Sequence, residues 1–200
     1  LMNQAIVENA WPGAVLLAAK DGNIFYQKAH GYHTYQGKNI TRSSDIFDLA
    51  SITKTVATTS SIMKLKDLGK IDINKPVVHY LPKFEGNDKK YFDQKSKITI
   101  KDLLAHASGL PAFKQYYKEK KNRESVLESI YDTVPIKSNR DTTIYSDVGA
   151  IILGEIIEKI SGLPLNVFAD SMIFKPLGMG TTFFNPPSNK MRRIVPTEIK

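Results

Sequence analysis

A hydroxyl and an amine three residues apart, Ser51 and Lys54, are the side chains of this chain best spaced to do chemistry. On an α-helix that interval sets both on one face, a turn apart. Ser51 stands where a helix would begin, so its hydroxyl meets unpaired backbone N–H groups and the positive end of the dipole. A serine attacks an acyl carbon only when something takes its proton, and a neighbouring amine can take it or tune the group that does. About ninety residues further on comes Tyr145-Ser146-Asp147, just ahead of an apolar helical pattern. A tyrosine beside a lysine can act as a general base, because positive charge draws the phenol below about 10. Each element also has a plainer reading: Ser51 as a helix cap, Lys54 as a solvated charge, Tyr145 as a packed ring, Asp147 as an N-cap. Their occurrence together, in this order and with helices between, is what makes a coherent set.

The elements that must position them follow from pattern. The Ser51 helix is expected to run to about Gly69, its C-cap, with Ile52, Val56, Thr59 and Met63 on one buried stripe and Ile62 beside it. Before it, residues 1–10 suit a short helix. Ala14 to Lys20 and Asn23 to Ala29 read as strands joined at Asp21-Gly22, a favoured two-residue hairpin turn. Gly31 to Asp48 shows turn residues without a period and is expected to be a loop. After Gly69, Asp72 to Pro82 reads as an extended crossing, followed by a polar loop to about Lys97. Thr99 with Asp102 resembles a capping box and opens a short helix through Leu104, ended by Ser108-Gly109-Leu110-Pro111. A helix is expected over Glu124 to Tyr131 and a turn-rich loop over Val134 to Tyr145. Asp147 would cap a strong helix burying Val148, Ile151, Ile152, Ile156 and Ile160 up to Gly162. Pro164 would open another, running to about Phe174.

Composition narrows the classes. At 42% hydrophobic and 24% charged residues, the chain is typical of a globular protein with a real core. No apolar run approaches the roughly 18 residues of a transmembrane segment. The absence of cysteine excludes disulfides and thiolate metal sites. The net charge of +8 is scattered over helix faces and loops, with a looser cluster from Lys114 to Arg123. It reads as solubility or attraction to anionic surfaces, not as a nucleic-acid footprint. His30 and His33 lie on or after a strand and would not converge as metal ligands, and no phosphate loop or Gly-x-Ser-x-Gly elbow is present.

Four segments in order carry a family resemblance: Leu49-Ala50-Ser51-Ile52-Thr53-Lys54, Leu103-Leu104-Ala105-His106-Ala107-Ser108-Gly109-Leu110-Pro111, Tyr145-Ser146-Asp147 and Pro176-Leu177-Gly178-Met179. Together they resemble the serine β-lactamase and penicillin-binding-protein superfamily, and within it the class C β-lactamase and esterase branch. The hairpin and its sequel, Ile24-Phe25-Tyr26 and Gly31-Tyr32-His33-Thr34-Tyr35, resemble a subset in which such a domain follows a family-three glycoside hydrolase in one bacterial polypeptide. The resemblance implies an α+β, β-lactamase/transpeptidase-like fold. It implies Ser51 as acylated nucleophile, Lys54 assisting its deprotonation, and Tyr145 as general base and then acid toward the leaving group. The Ser51 N–H would be half of an oxyanion hole. Asp147 falls where Asn is usual, orienting substrate and lysine; a carboxylate there would favour the ammonium form of Lys54 and removes the amide donor useful to a β-lactam. His106 would hydrogen-bond locally to shape the site wall.

The resemblance further implies an acyl, peptidoglycan-like or β-lactam substrate, no cofactor and no metal, and a periplasmic or extracellular setting in a bacterium. The family's third motif, a Lys or His followed by a small residue and Gly on a late strand, has no match after Tyr145. The expectation is therefore an incomplete domain, an N-terminal fragment. It comprises a leading helix, hairpin and loop over 1–50 and a mostly helical subdomain over 51–200, with the rest of the antiparallel sheet missing. Arg192, Arg193 and Pro196 then read as the way into a further segment. Two functions follow: a serine acyl hydrolase whose 200-residue portion has little turnover, or a non-catalytic module that binds cell-wall fragments or packs on a glycosidase.

Overall fold

Asp21 and Gly22 both adopt positive φ, 50° and 78°, the geometry a two-residue hairpin turn requires. They join β1 (Gly13–Lys20) to β2 (Asn23–Gly31) in an antiparallel pair, as the alternation predicts. The register shifts between Ala18 and Ala19, where Phe25 is the extra residue of a bulge. The computed structural model describes residues 1–119 and 122–197. Within them the chain divides into two units, Leu1–Ala50 with the segment from Phe183 onward, and Ser51–Thr182.

In the first unit, α1 (Met2–Val7) precedes the hairpin. His30 and His33 are buried and meet separate partners: His30 Nδ1 lies 2.8 Å from Asn3 Oδ1, and His33 Nε2 lies 2.8 Å from Asp45 Oδ2. An isolated parallel β-bridge, Ile46 with Ile194, ties the returning segment to this unit through Ile46 N–H to Arg193 O (2.8 Å) and Val195 N–H to Ile46 O (2.9 Å). Asp48 Oδ1 accepts the Ala50 N–H at 2.8 Å, forming a side-chain turn at the end of the expected loop.

The second unit is helical, and the secondary structure as a whole is α+β: one two-stranded sheet and otherwise helices among the described residues. The helix after Ser51 ends at Asp67 with Leu68 as its C-cap, two residues short of the expected Gly69, and it is not uniform. Lys54–Thr59 forms a π turn that leads into α2 (Ser60–Asp67), with the Ser60 N–H reaching back to Thr55 O. The wider turn changes the phase of the helix. Ala57, Thr58, Ser61, Ile62 and Leu65 are buried, whereas Ile52 and Met63, expected on the buried stripe, are 57% and 61% exposed. The stripe assumed a period of about 3.6 throughout, and the π turn breaks it.

The stretch expected to be extended and then looped also carries structure. Pro76, locked at φ −61°, caps α3 (Val77–Tyr80), and 3-10 turns at Pro82–Glu85 and Lys89–Tyr91 lead to α4 (Phe92–Ser96). Buried Phe84 and Lys95 anchor this region. The Lys95 ammonium donates to Tyr131 O and lies 4.7 Å from the centre of the Phe84 ring. A short α6 (Tyr116–Glu119), not foreseen in so lysine-rich a stretch, precedes α7 (Arg123–Tyr131). No helix among the described residues is long and apolar enough to cross a membrane.

Two helices set the frame for the site. α5 (Ile100–Leu104) opens with the expected capping box, Thr99 and Asp102 satisfying each other's backbone N–H groups. α8 (Asp147–Ser161) buries Val148, Ile152, Leu153, Ile156 and Ile157 and ends at Gly162 in the left-handed conformation. Fully burying side chains of this kind contributes about 1.5–3 kcal/mol each, so α8 is the central strut of the core. Three details differ from expectation, the first being that Ile160 is only partly buried. Ile151 points outward at 37% exposure, and the N-cap is Ser146, not Asp147. Ser146 Oγ accepts the Gly149 N–H (3.1 Å) and donates to Pro111 O (2.7 Å), which leaves the Asp147 carboxylate without a capping duty. Beyond α8, Pro164 stands outside α9 (Leu165–Ala169) as its N-cap, and a second π turn, Asp170–Phe174, carries the helix to its expected end. Ala57, Ala169 and Phe174 form a small core of their own.

Candidate active site

The nucleophile candidate and its amine are linked by backbone before any side chain is considered. The Lys54 N–H donates to Ser51 O at 3.0 Å, closing a tight first turn, and Lys54 Nζ donates to Ser51 Oγ at 3.1 Å. The helical spacing anticipated from sequence thus brings the two together at the start of the π turn.

Tyr145 arrives from the other side on a loop held by a ladder of backbone bonds to the turn after α5. Ile136 N–H donates to Gly109 O (2.8 Å), Arg140 N–H to Ala107 O (2.7 Å), and Ile144 N–H to His106 O (2.8 Å). Asp147 N–H donates to Ala112 O at 2.7 Å just beyond. The ladder works because Gly109, at φ 73°, lets the turn approach so closely that a Cβ there would sit 2.1 Å from Lys137 O. A second tie is electrostatic. Arg140 grips the Asp102 carboxylate through Nε (2.8 Å) and Nη2 (3.0 Å), joining the loop to the α5 capping box.

The four side chains singled out in the sequence meet in one cluster. The Tyr145 hydroxyl interacts with Ser51 and with Lys54, and the Lys54 ammonium lies 5.0 Å from the Tyr145 ring centre. Asp147 Oδ1 lies 2.8 Å from Lys54 Nζ. Tyr145 is 53% exposed and Ser51 is exposed as well, so the reactive atoms face solvent while Lys54 behind them is largely covered. The electrostatics follow. Burial pulls the Lys54 ammonium down, but pairing with Asp147 and Tyr145 outweighs it and holds the lysine above its ordinary value. Contact with the Ser51 hydroxyl, and then with Lys54, draws the Tyr145 phenol below its ordinary value; Asp147 opposes the shift. A cationic lysine beside an acidified phenol makes the phenolate, not the amine, the group suited to remove a proton from Ser51.

Sequence reasoning missed or misplaced two contributors. Arg140, with Asp102, gave no signal beyond a charge in a turn-rich stretch. His106 was expected to bond locally, but its Nδ1 accepts the Ser146 N–H from 40 residues away at 3.0 Å. Its ring centre lies 4.7 Å from that of Tyr145.

Comparison with known proteins bears on the family and the fold. The Beta-lactamase family model matches residues 2–198. An N-acetylmuramyl-L-alanine amidase of Bacillus subtilis is 36% identical over 88% of this chain and 43% of its own length. A putative D-alanyl-D-alanine carboxypeptidase of Salmonella gallinarum is 37% identical over 90% of this chain and 45% of its own. The chain thus spans less than half the length of these curated relatives. Among solved structures, a class C beta lactamase from Rhodobacter sphaeroides superposes with a TM-score of 0.79 at 21% identity, over 96% of this chain and 52% of the other. The octameric penicillin-binding protein homologue from Pyrococcus abyssi gives 0.79 at 25% identity, over 96% and 45%. With the family model matching residues 2–198 and a class C beta lactamase sharing the fold, this chain belongs to the Beta-lactamase family, with a β-lactamase/transpeptidase-like fold.

Proposed function

We propose that the protein of which these residues form part is a serine acyl hydrolase working through an acyl-enzyme. The observation that carries this is the Lys54 ammonium, paired with Asp147 and touching both the Ser51 hydroxyl and the Tyr145 phenol. In the scheme it supports, the Tyr145 phenolate takes the Ser51 proton as Oγ bonds to the acyl carbon. The phenol returns that proton to the departing amine or alcohol. Water, activated in the same way, then cleaves the Ser51 ester and restores the hydroxyl. Lys54 stabilises the phenolate in each half, and the Ser51 N–H would supply one oxyanion donor. Asp147 orients Lys54 and faces the substrate.

The relatives named amidase and carboxypeptidase favour a peptidoglycan-derived amide or an ester. Asp147 argues against efficient β-lactam turnover, since a carboxylate offers no N–H to a substrate carbonyl. A periplasmic or extracellular bacterial location goes with such a substrate. Incubation with a fluorescent fluorophosphonate, followed by mapping of the adduct, tests the proposal: labelling at Ser51 that vanishes in Ser51→Ala is expected, and labelling that survives the substitution refutes it.

A second reading rests on a specific feature, the Asp147 carboxylate at a position where the family resemblance implies an amide. On that reading the domain is a non-catalytic module that binds cell-wall fragments or packs on a family-three glycoside hydrolase in the same polypeptide. Association with such a partner, unchanged in Ser51→Ala, would favour it. Measurable turnover by the complete domain would count against it.

A further inference from the structure

The acyl-transfer scheme leaves unused a titratable ring that touches its base. His106 follows α5 with φ 55°, a left-handed conformation that costs a residue with a side chain roughly 1–2 kcal/mol. The end of α5 holds it there in part, through His106 N–H to Leu103 O (3.2 Å) and Ala107 N–H to Asp102 O (2.8 Å), and two further bonds concern Tyr145. The His106 carbonyl accepts the N–H of Ile144, the residue before the tyrosine, at 2.8 Å. Its ring Nδ1 accepts the N–H of Ser146, the residue after, at 3.0 Å. Between these two bonds the imidazole lies against the phenol ring, 4.7 Å between centres and tilted by 45°. Because an amide can only donate, Nδ1 must carry no proton, and the neutral ring holds its hydrogen on Nε2.

We propose that His106 is a positioning residue for Tyr145, clamping the backbone on both sides of it, and that protonation of Nδ1 opens the Ser146 half of the clamp. The role rests on Tyr145 being the base. The charged groups facing the imidazole are Lys54 and Asp147, with the Tyr145 phenol alongside. Burial first, and then the Lys54 charge, push His106 below its ordinary value, while Asp147 opposes them. The clamp is therefore closed at neutral pH and opens only in acid, as pH falls below about 6.5.

Two substitutions separate the parts of the clamp. His106→Asn keeps an acceptor near the position of Nδ1 and tolerates left-handed backbone, whereas His106→Phe keeps a ring and loses the acceptor. In amide NMR, the Ser146 signal of the unsubstituted protein should move with pH at the midpoint of the His106 ring; in His106→Asn it should stay fixed near its neutral-pH position. In His106→Phe, hydrogen exchange at Ser146 should quicken about tenfold, and the phenol midpoint of Tyr145, read from ring-carbon shifts, should rise toward 10. A Ser146 signal that titrates alike in the unsubstituted protein and in His106→Asn overturns the proposal, as does an unchanged Tyr145 midpoint in His106→Phe. If His106→Phe fails to fold, the comparison with His106→Asn still decides. None of these measurements needs a substrate, so absence of fluorophosphonate labelling would count against the acyl-enzyme and leave the clamp to its own result.

Discussion

Replacing Gly109 by alanine should be far more costly than the same change at Gly162, although both glycines are left-handed, with φ 73° and 71°. At Gly162 a Cβ would meet nothing within 4 Å, so Gly162→Ala bears only the backbone cost, roughly 1–2 kcal/mol. At Gly109 the same Cβ would sit 2.1 Å from Lys137 O and 2.9 Å from Lys137 C, which are backbone atoms and not a flexible side-chain end. Restoring an ordinary contact needs about 1 Å of retreat by the facing loop. That retreat breaks the bonds Gly109 O accepts from Ile136 (2.8 Å) and Lys137 (3.3 Å), at about 0.5–1.5 kcal/mol each. Gly109→Ala should therefore destabilise the helical unit by roughly 3–4 kcal/mol, two to three times the Gly162→Ala effect. Urea unfolding followed by far-UV circular dichroism reports this unit. Fluorescence of the sole tryptophan, Trp11, reports the strand unit. Equal midpoint shifts in the two variants would show that the close approach at Gly109 is not rigid, and that the ladder carrying Tyr145 is not held as described.

Two further outcomes can be checked in the same way. Asp147→Asn removes a carboxylate that raises the Lys54 value and opposes the lowering of Tyr145. The pH at which acylation by a fluorescent penicillin becomes half-maximal should therefore move down, and the added N–H donor should speed acylation about fivefold to tenfold; a profile that moves up, or does not move, is the contrary result. Lys95 gives a stability prediction. Burial lowers this ammonium to about 8, below its value of about 10.4 in an unfolded chain, despite the opposing charges of Asp132 and Glu85. Between those values the unfolded chain binds more protons, so stability should rise as pH climbs from about 8 to 10. The rise should be missing from urea midpoints of Lys95→Met, and its persistence would assign it to another group.

What the sequence made legible was local chemistry with a fixed offset. Asp21-Gly22 and Thr99 with Asp102 declare themselves because the turn and the capping box are satisfied within four residues. Ser51 and Lys54 belong to the same class, an i, i+3 pair whose contact needs only one turn. Tyr145 could be placed by its order in the family pattern but not by its neighbours alone. Illegible features depended on partners remote in sequence. Asp147 reads as a cap until Pro111 O and the Gly149 N–H are seen to engage Ser146 instead. The short helices between Pro76 and Ser96 are too brief to show a period, and they form because Phe84 and Lys95 find buried positions against the rest of the unit. His106 offered no hint that its ring would close a bond across 40 residues.

The π turn at Lys54–Thr59 lets one helix satisfy two orientations that a regular helix could not combine. Its first residues aim a hydroxyl and an ammonium at solvent and at Tyr145, while the residues after it aim Ile62 and Leu65 inward. The extra residue acts as an angular adjustment of about 100° between the two ends. Removal of a single residue from that turn would shorten the helix by only about 1.5 Å, yet it would swing the reactive pair away from the phenol or the apolar side chains out of the core. Chain length within those six positions is therefore more tightly constrained than residue identity.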